Sequence, residues 1–134
     1  MALNTQMSNA AVNAEASSFA TICNNGYLRI YDGTQPANSD TGTGSSVKLA
    51  ELRMGATAFG SPSGGVLTAN AITSGSGLAA GSATWFRLLQ SDGTTPLLDG
   101  TVGTSGTNMV IGNISISVGQ TVSCSGFTHT ISKF

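Results

Sequence analysis

Residues 82–90 read SATWFRLLQ, and this stretch carries the strongest strand signal in the chain. Alternate side chains of a strand point to opposite faces. Both faces are largely apolar here, with Thr84, Phe86 and Leu88 on one and Ala83, Trp85, Arg87 and Leu89 on the other. Such a strand is typical of the centre of a sheet that is covered on both sides. The sequence therefore predicts a β fold built around residues 82–90, with a turn at 91–93 leading into TTPLLDGTVG at 94–103.

Shorter strands are predicted on both sides of this stretch, each bounded by Gly, Pro, Asn or Asp. They cover residues 27–31, 46–54, 66–72, 108–118 and 121–133. In the last of them the apolar positions change parity across Ser125 and Gly126, which predicts a β-bulge at Gly126. Seven or eight short strands separated by turn signals favour a mainly β fold, an antiparallel β-sandwich or barrel.

Residues 5–23 show the helical pattern of the chain. Val12, Ala16, Phe19 and Cys23 follow one another at spacings of four, three and four, which places them on one face of a helix. The sequence NNG at 24–26 would end this helix, because Asn and Gly tolerate the left-handed conformation. We therefore expect an N-terminal helical arm at 1–26 and a β-sandwich domain at 27–134, together one structural domain.

Charged side chains make up only 8% of the 134 residues, and the formal net charge is −1. Ordinary soluble domains contain roughly 25% charged residues. Without a basic patch to neutralise phosphates we expect no nucleic-acid partner, and no stretch approaches the ~20 apolar residues of a membrane span. The N-terminal residues lack the pattern of a secretory signal, which favours a cytosol-like compartment. A neutral, hydroxyl-rich surface fits a protein that packs into an assembly, with a secreted β domain as the alternative.

Three aspartates precede glycine, and we interpret them as turn residues rather than as catalytic carboxylates: Asp32, Asp92 and Asp99. Asp-Gly is typical of two-residue hairpin turns, in which both central residues have positive φ. The spacing of a calcium-binding loop is absent around all three. The sequence therefore predicts neither a carboxylate pair for acid–base catalysis nor a calcium site.

The remaining reactive residue types are also interpreted as structural. The sequence contains one histidine, His129, and no GxSxG motif that would provide a nucleophile for it. Its spacing to the two cysteines is not that of a zinc site. We therefore expect that the protein is not an enzyme and binds no metal and no cofactor. Cys23 and Cys124 are expected to be free thiols in a reducing compartment, with a disulfide as the alternative. Three arginines lie within predicted strands and are candidates for ion pairs with Asp or Glu, inside the subunit or across an interface: Arg29, Arg53 and Arg87.

Several stretches together resemble one group of proteins: ALNTQMSNAAVNAEA (2–16), NNGYLRIYDGTQPANSDT (24–41), LAELRMGATAFG (49–60), ATWFRLLQSDGTTPLLDGTVG (83–103) and FTHTI (127–131). The group is that of small structural proteins of tailed bacteriophages, and the chain is most similar to head decoration, or capsid cement, proteins. The resemblance runs over nearly the whole chain. It implies a virion component that binds the outside of the capsid lattice, commonly as a dimer or trimer, with the major capsid protein as its partner. A tail or head–tail junction component is the alternative within this class.

The N-terminal segment 2–23 and the polar loop 34–45 are predicted to contact the capsid or other subunits. The candidate contact residues are Leu3, Met7, Val12, Phe19, Gln35, Pro36 and Asn38. The alternative is that the helix closes one open end of its own β-sandwich. A different functional class, a carbohydrate- or receptor-binding module, would use the exposed half of the strand around Trp85 as its binding platform.

Overall fold

The computed structural model describes residues 3–133, and within them it contains one helix and eleven strands. The helix, α1, covers Asn9–Ile22. The strands are β1 Tyr27–Tyr31, β2 Lys48–Arg53, β3 Val66–Thr68, β4 Gly75–Ser76, β5 Gly81–Ser82, β6 Trp85–Leu89, β7 Pro96–Gly103, β8 Met109–Ile111, β9 Ser115–Ile116, β10 Thr121–Val122 and β11 Cys124–Thr130. The predicted mainly β fold with one N-terminal helix is confirmed.

Seven strands form one curled sheet in the order β2-β1-β6-β7-β8-β11-β3. Its neighbours are antiparallel except for β7 and β8, which run parallel. The other four strands form two short antiparallel pairs, β4 with β10 and β5 with β9. The sheet is therefore mixed, and it differs in this respect from the antiparallel sandwich or barrel that the sequence predicts.

The parallel pairing of β7 and β8 is made across an unusually short connection. Parallel neighbours usually need a connection of a dozen or more residues, whereas residues 104–108 alone join these two strands. Asn108 holds the connection, because its Oδ1 accepts hydrogen bonds from Thr101 N and Thr101 Oγ1, both at 3.1 Å. The parallel ladder is accordingly limited to Val102 opposite Met109 and Gly103 opposite Val110.

The central position predicted for residues 82–90 is confirmed. Strand β6 lies between β1 and β7, and all five of its residues are buried. The predicted bulge is also present, since the register between β11 and β8 shifts between Cys124 and Gly126. The predicted strand 108–118 is interrupted instead, because residues 112–114 separate β8 from β9.

Neither edge of the seven-stranded sheet is left open. Along β2, Arg53 and Thr73 exchange two backbone hydrogen bonds, and Leu78 N donates to Leu49 O at 2.7 Å. Along β3, Gly60 N donates to Thr68 O at 3.0 Å. Backbone groups that are already hydrogen-bonded in this way are not available to an added strand.

The helix begins after Ser8, whose Oγ accepts a hydrogen bond from Ala11 N, and it buries Val12 and Ala16. Residues 5–8 of the predicted helix are not helical. The predicted end is confirmed at Asn25, which has a φ of 58°. Asn fits this left-handed conformation because its short polar side chain can hydrogen-bond locally.

A chain of aromatic rings joins the helix to the centre of the sheet. Phe19 of α1 contacts Phe59, Phe59 contacts Phe127 of β11, and Phe127 meets the edge of Phe86 in β6, with centroid distances of 6.5, 5.5 and 5.1 Å. Ala16 and Cys23 belong to the same core cluster as the strands. The helix is thus attached to its own subunit through the main hydrophobic core.

Both cysteines are free thiols, as expected. Burial raises the pKa of the Cys23 thiol to about 12. Desolvation also raises the pKa of Cys124, which is half-buried. A protonated thiol is a poor nucleophile and metal ligand, so both cysteines serve the packing of the fold.

Candidate functional site

Four charged residues are aligned in one row across four neighbouring strands. The strand register places Glu51 of β2 opposite Arg29 of β1, Arg29 opposite Arg87 of β6, and Arg87 opposite Asp99 of β7. We call these four residues the charged row. Each arginine has a like charge on one side and a carboxylate on the other, so the two carboxylates offset repulsion between directly opposed arginines.

The inner end of the charged row is a buried ion pair. Arg87 Nε donates to Asp99 Oδ1 at 2.7 Å, and Arg87 Nη2 donates to Asp99 Oδ2 at 2.9 Å. The two side chains are 8% and 3% exposed. The hydrogen bond from Arg87 to Asp99 raises the pKa of the guanidinium above its ordinary value. Both carboxylate oxygens are engaged and shielded, so Asp99 is not available to a substrate.

The outer end of the charged row is more open. Arg29 Nε donates to Glu51 Oε2 at 2.7 Å, and Arg29 Nη2 donates to Gly93 O at 3.0 Å. Lys48 Nζ lies 3.9 Å from the same Glu51 oxygen. Arg29 therefore ties the loop between β6 and β7 to the face of the sheet. The ion pairs predicted for Arg29 and Arg87 are confirmed, and both lie within the subunit.

Trp85 is buried beside this row. Its ring stacks on Tyr31 with a centroid distance of 4.6 Å, and its Nε1 donates to Asp32 O at 2.9 Å. Trp85 is 1% exposed and Phe86, which points to the other face, is 0% exposed. The two aromatic side chains thus pack in the interior, and the exposed platform that a carbohydrate-binding function would need at Trp85 is not present.

Two of the three aspartates are turn residues, as predicted. Asp32 Oδ1 accepts a hydrogen bond from Val47 N at 2.7 Å, while Gly33 has a φ of 76°. The Thr95 hydroxyl donates to Asp92 Oδ2, and Asp92 Oδ1 accepts from the backbone N–H groups of Thr95 and Thr94, each at 2.9 Å. These bonds lower the pKa of Asp92 to about 2. Only the glycines adopt positive φ, so these are not the two-residue turns that the Asp-Gly pairs predict.

The interpretation of Asp99 and Gly100 as a turn is wrong, because both residues lie inside β7. Asp99 holds Arg87, and Gly100 makes room for the ring of Phe86 on the neighbouring strand. A Cβ atom at Gly100 would lie 2.6 Å from Phe86 Cε1. The Asp-Gly pair is thus explained by contacts across the sheet and not by backbone conformation.

Replacing Gly100 with alanine is expected to lower the free energy of unfolding by about 1–3 kcal/mol, because the added methyl group forces the Phe86 ring or the strand to move. Gly112→Ala is the matched control, since a Cβ there would meet no heavy atom within 4 Å. Urea unfolding of both variants measures the difference. Equal midpoints for the two variants would contradict this role of Gly100.

His129 is a packing residue. Its ring lies 5.0 Å from the ring of Phe19, centroid to centroid, and desolvation lowers the pKa of the imidazole below its ordinary 6.5. It is not brought together with Asp92 and Asp99, and residues 3–133 contain no group of three or more His, Cys, Asp or Glu side chains that could hold a metal ion. The contact with Phe19 is consistent with the structural role predicted for His129.

The lowered pKa of His129 predicts a dependence of stability on pH. Between the folded pKa and 6.5 the unfolded chain binds a proton that the folded chain does not, so the stability contributed by neutral His129 is lost as the pH falls through this range. His129→Phe, which keeps the ring against Phe19, should lose less stability than wild type on acidification. Urea midpoints at neutral pH and at about pH 5 measure it. Identical losses of stability on acidification in wild type and His129→Phe would contradict a lowered pKa of His129.

The seven predicted contact residues have very different environments. Leu3 is fully exposed, and Gln35 and Asn38 are exposed in the loop between β1 and β2. Met7, Phe19 and Pro36 are half-buried, and Met7 N donates to Lys133 O at 3.0 Å. Val12 is 0% exposed and attaches the helix to the subunit, so it offers no surface to another molecule. Asn38 Oδ1 accepts from Asp40 N and Thr41 Oγ1, which orders the loop tip.

Arg53 is the arginine whose predicted ion pair is not found among the described residues. Its guanidinium instead lies over the ring of Tyr27, 4.2 Å from the centroid, and its Nε donates to Asn25 O at 3.1 Å. The sequence indicates that the three arginines are candidates for ion pairs, because they lie within predicted strands. It gives no signal that Glu51 and Asp99 are partners of two of them, because strand pairing alone brings these residues together.

No helix within residues 3–133 combines the length and the apolar character needed to cross a membrane. Comparison with protein-family models, with curated proteins and with solved structures gave no match.

Proposed function

We propose that this chain is a non-enzymatic structural protein of a tailed-bacteriophage virion. In this proposal it binds the outer surface of the capsid, with the major capsid protein as its partner, and stabilises contacts between capsomers as a dimer or trimer. The proposal starts from the resemblance of segments across the chain to small phage structural proteins. A second line of support is the way in which the fold uses its few charged side chains.

The observation that carries the proposal is that five of the eleven charged side chains serve the fold itself. Arg87 and Asp99 form a buried pair, Arg29 and Glu51 form a second pair, and Asp92 is bound by its own loop. Outside the outer side of β1 and β2, where Arg29, Lys48 and Arg53 lie, the surface is then composed mainly of neutral polar and small apolar groups. Such surfaces suit protein contacts that are individually modest and are repeated over a lattice, where multivalency raises the overall affinity.

Exposed apolar side chains on this neutral surface are candidate contact points for a partner protein. Leu78 and Val118 are 52% and 71% exposed, on neighbouring segments where Gly119 N donates to Gly77 O at 2.9 Å. Leu3 is fully exposed before the helix. Leu3 was predicted as a contact from the sequence, and in this proposal it reaches a neighbouring capsomer.

Antibody labelling of purified phage particles in the electron microscope tests the proposal. Label over the head is the expected result, and purified shells should open at a higher temperature when the chain is bound. Label over the tail or the neck would favour the alternative of a tail or head–tail junction component. Particles that carry no label, together with binding on a glycan array, would contradict a virion role and favour a receptor-binding module.

The N-terminal residues allow a more specific test within the same assay. Removing residues 2–6, which precede the helix cap at Ser8, should leave the fold intact and weaken co-sedimentation with shells. Removing residues 2–20 should give insoluble protein, because Val12 and Ala16 are completely buried. Unchanged co-sedimentation of the shorter deletion would exclude Leu3 as a shell contact.

A further inference from the structure

We propose that the outer side of β1 and β2 is a docking surface for an acidic segment of a shell protein. The surface consists of Arg29, Lys48, Glu51 and Arg53, with Tyr27 beneath Arg53, and we call it the cation patch. It deepens the proposed function and rests on it, because the partner is taken to be a protein of the capsid. The partner is defined by its chemistry, two or more neighbouring carboxylates on one segment.

The first observation is that positive charge is concentrated in one place. Four of the five Lys and Arg residues of the chain lie on three adjacent strands, β2, β1 and β6. Asp99 neutralises Arg87 completely. Of the three remaining cations of these strands, Arg29 and Lys48 both lie near Glu51, and Arg53 pairs with no carboxylate among the described residues. The cation patch therefore has an excess of two positive charges. A chain with a net charge of −1 therefore has a locally positive face.

The second observation is that Arg53 is held by two contacts but has no ion-pair partner within residues 3–133. Its Nε is bound to Asn25 O and its guanidinium lies over Tyr27, yet the residue is exposed. An ordered side chain loses less conformational entropy when it binds a partner. Arginine and tyrosine are also enriched among residues that dominate binding energy at protein interfaces. Arg53 on Tyr27 is therefore the expected centre of the contact.

The charges also indicate which partner fits. Nucleic-acid binding usually engages many phosphates, and its affinity depends on the number neutralised, whereas the cation patch has an excess of only two charges. A second copy of this chain is a poor complement, because its exposed carboxylates lie on separate segments: Glu15 in α1, Asp40 in the loop after β1, and Asp92 in the loop after β6. A short protein segment with adjacent carboxylates matches the patch in both size and sign.

A titration followed by NMR tests the inference on the full chain without a capsid. The probe is a hexaglutamate peptide, and hexaglutamine is its neutral control. We expect shifts of the backbone amides of Tyr27, Arg29, Lys48 and Arg53 with hexaglutamate only, and weaker binding as salt rises. Lys48→Gln combined with Arg53→Gln should weaken binding at least about fivefold. Lys133→Gln, which removes the one Lys or Arg residue outside the three strands, should leave binding of hexaglutamate unchanged.

Several outcomes would overturn the inference. These are shifts that do not involve the cation patch, equal binding by the double variant, and tighter binding of a DNA duplex than of hexaglutamate at the same residues. A dimer in light scattering that the double variant dissociates would identify a second copy as the occupant instead. Arg53→Lys serves as a folded control, because it keeps the charge and loses the planar group over Tyr27; intermediate binding is expected.

Co-sedimentation with purified shells separates this inference from the proposed function. If wild type binds shells and the double variant binds them equally well at all salt concentrations, the cation patch is not the docking surface although the proposed function stands. If wild type does not bind shells, the proposed function fails, and the peptide titration then decides alone whether the patch binds acidic segments.

Discussion

Asp99→Asn is expected to lower the free energy of unfolding by about 3–5 kcal/mol, because it leaves the charge of Arg87 buried without a counter-ion. Asparagine has nearly the size of aspartate, so the packing around β7 changes little. The decrease in the free energy of unfolding therefore measures the effect of leaving the charge of Arg87 unpaired. Small domains have a total stability of about 5–15 kcal/mol, so this change removes a large part of the stability. Urea unfolding followed by tryptophan fluorescence measures the change directly, since Trp85 lies beside Arg87.

The charged row itself supplies the matched control. Glu51→Gln breaks the other ion pair of the same row, but Arg29 and Glu51 are 26% and 30% exposed, so water can replace the lost partner. The expected loss is at most about 1 kcal/mol. Replacing both buried partners, as Arg87→Met with Asp99→Leu, should restore most of the stability. Equal losses for Asp99→Asn and Glu51→Gln would contradict the difference in burial on which this prediction depends.

Phe127→Ala is expected to cost about 3–5 kcal/mol, the usual range for removing a buried aromatic ring. Phe127 is 1% exposed, and its ring contacts both Phe59 and Phe86, so its removal interrupts the aromatic chain between helix and sheet. Beyond the global loss of stability, we expect the amides of α1 to exchange faster with solvent. Thermal unfolding measures the first effect and hydrogen exchange measures the second.

Phe19→Ala separates the loss of global stability from the faster hydrogen exchange in α1. Phe19 is half-buried at the helix end of the aromatic chain, so its removal should cost less overall while still accelerating exchange in α1. Phe127→Leu keeps an apolar side chain in the core and should lie between wild type and Phe127→Ala. Protection of the helix that stays at the wild-type level in Phe127→Ala would contradict the attachment of α1 through this core.

Local patterns in the sequence were sufficient for the main elements. The alternation in residues 27–31 and 82–90 predicted β1 and the central strand β6, and the change of parity near Gly126 predicted the bulge in β11. Helical spacing and the NNG stop predicted α1 and its end. These features depend on residues within a few positions of one another, so they are present in the sequence before any tertiary contact forms.

Other features were decided only by the tertiary structure. Asp99 and Gly100 carry the same dipeptide as Asp92 and Gly93, yet one pair is inside a strand and the other is in a loop. The difference comes from Arg87 and Phe86 on the neighbouring strand, which bind the carboxylate and occupy the space above the glycine. The parallel pairing of β7 with β8 likewise depends on Asn108 reaching Thr101.

The same division applies to the candidate site. The sequence by itself determined that the chain has few charges, that three arginines lie within strands, and that Trp85 and Phe86 point to opposite faces. Only the strand order placed Glu51, Arg29, Arg87 and Asp99 in one row, buried one ion pair and left Arg53 without a carboxylate. The physical reason is that cross-strand contacts join residues far apart in the chain, and their register follows from burial of whole sheet faces rather than from any local pattern.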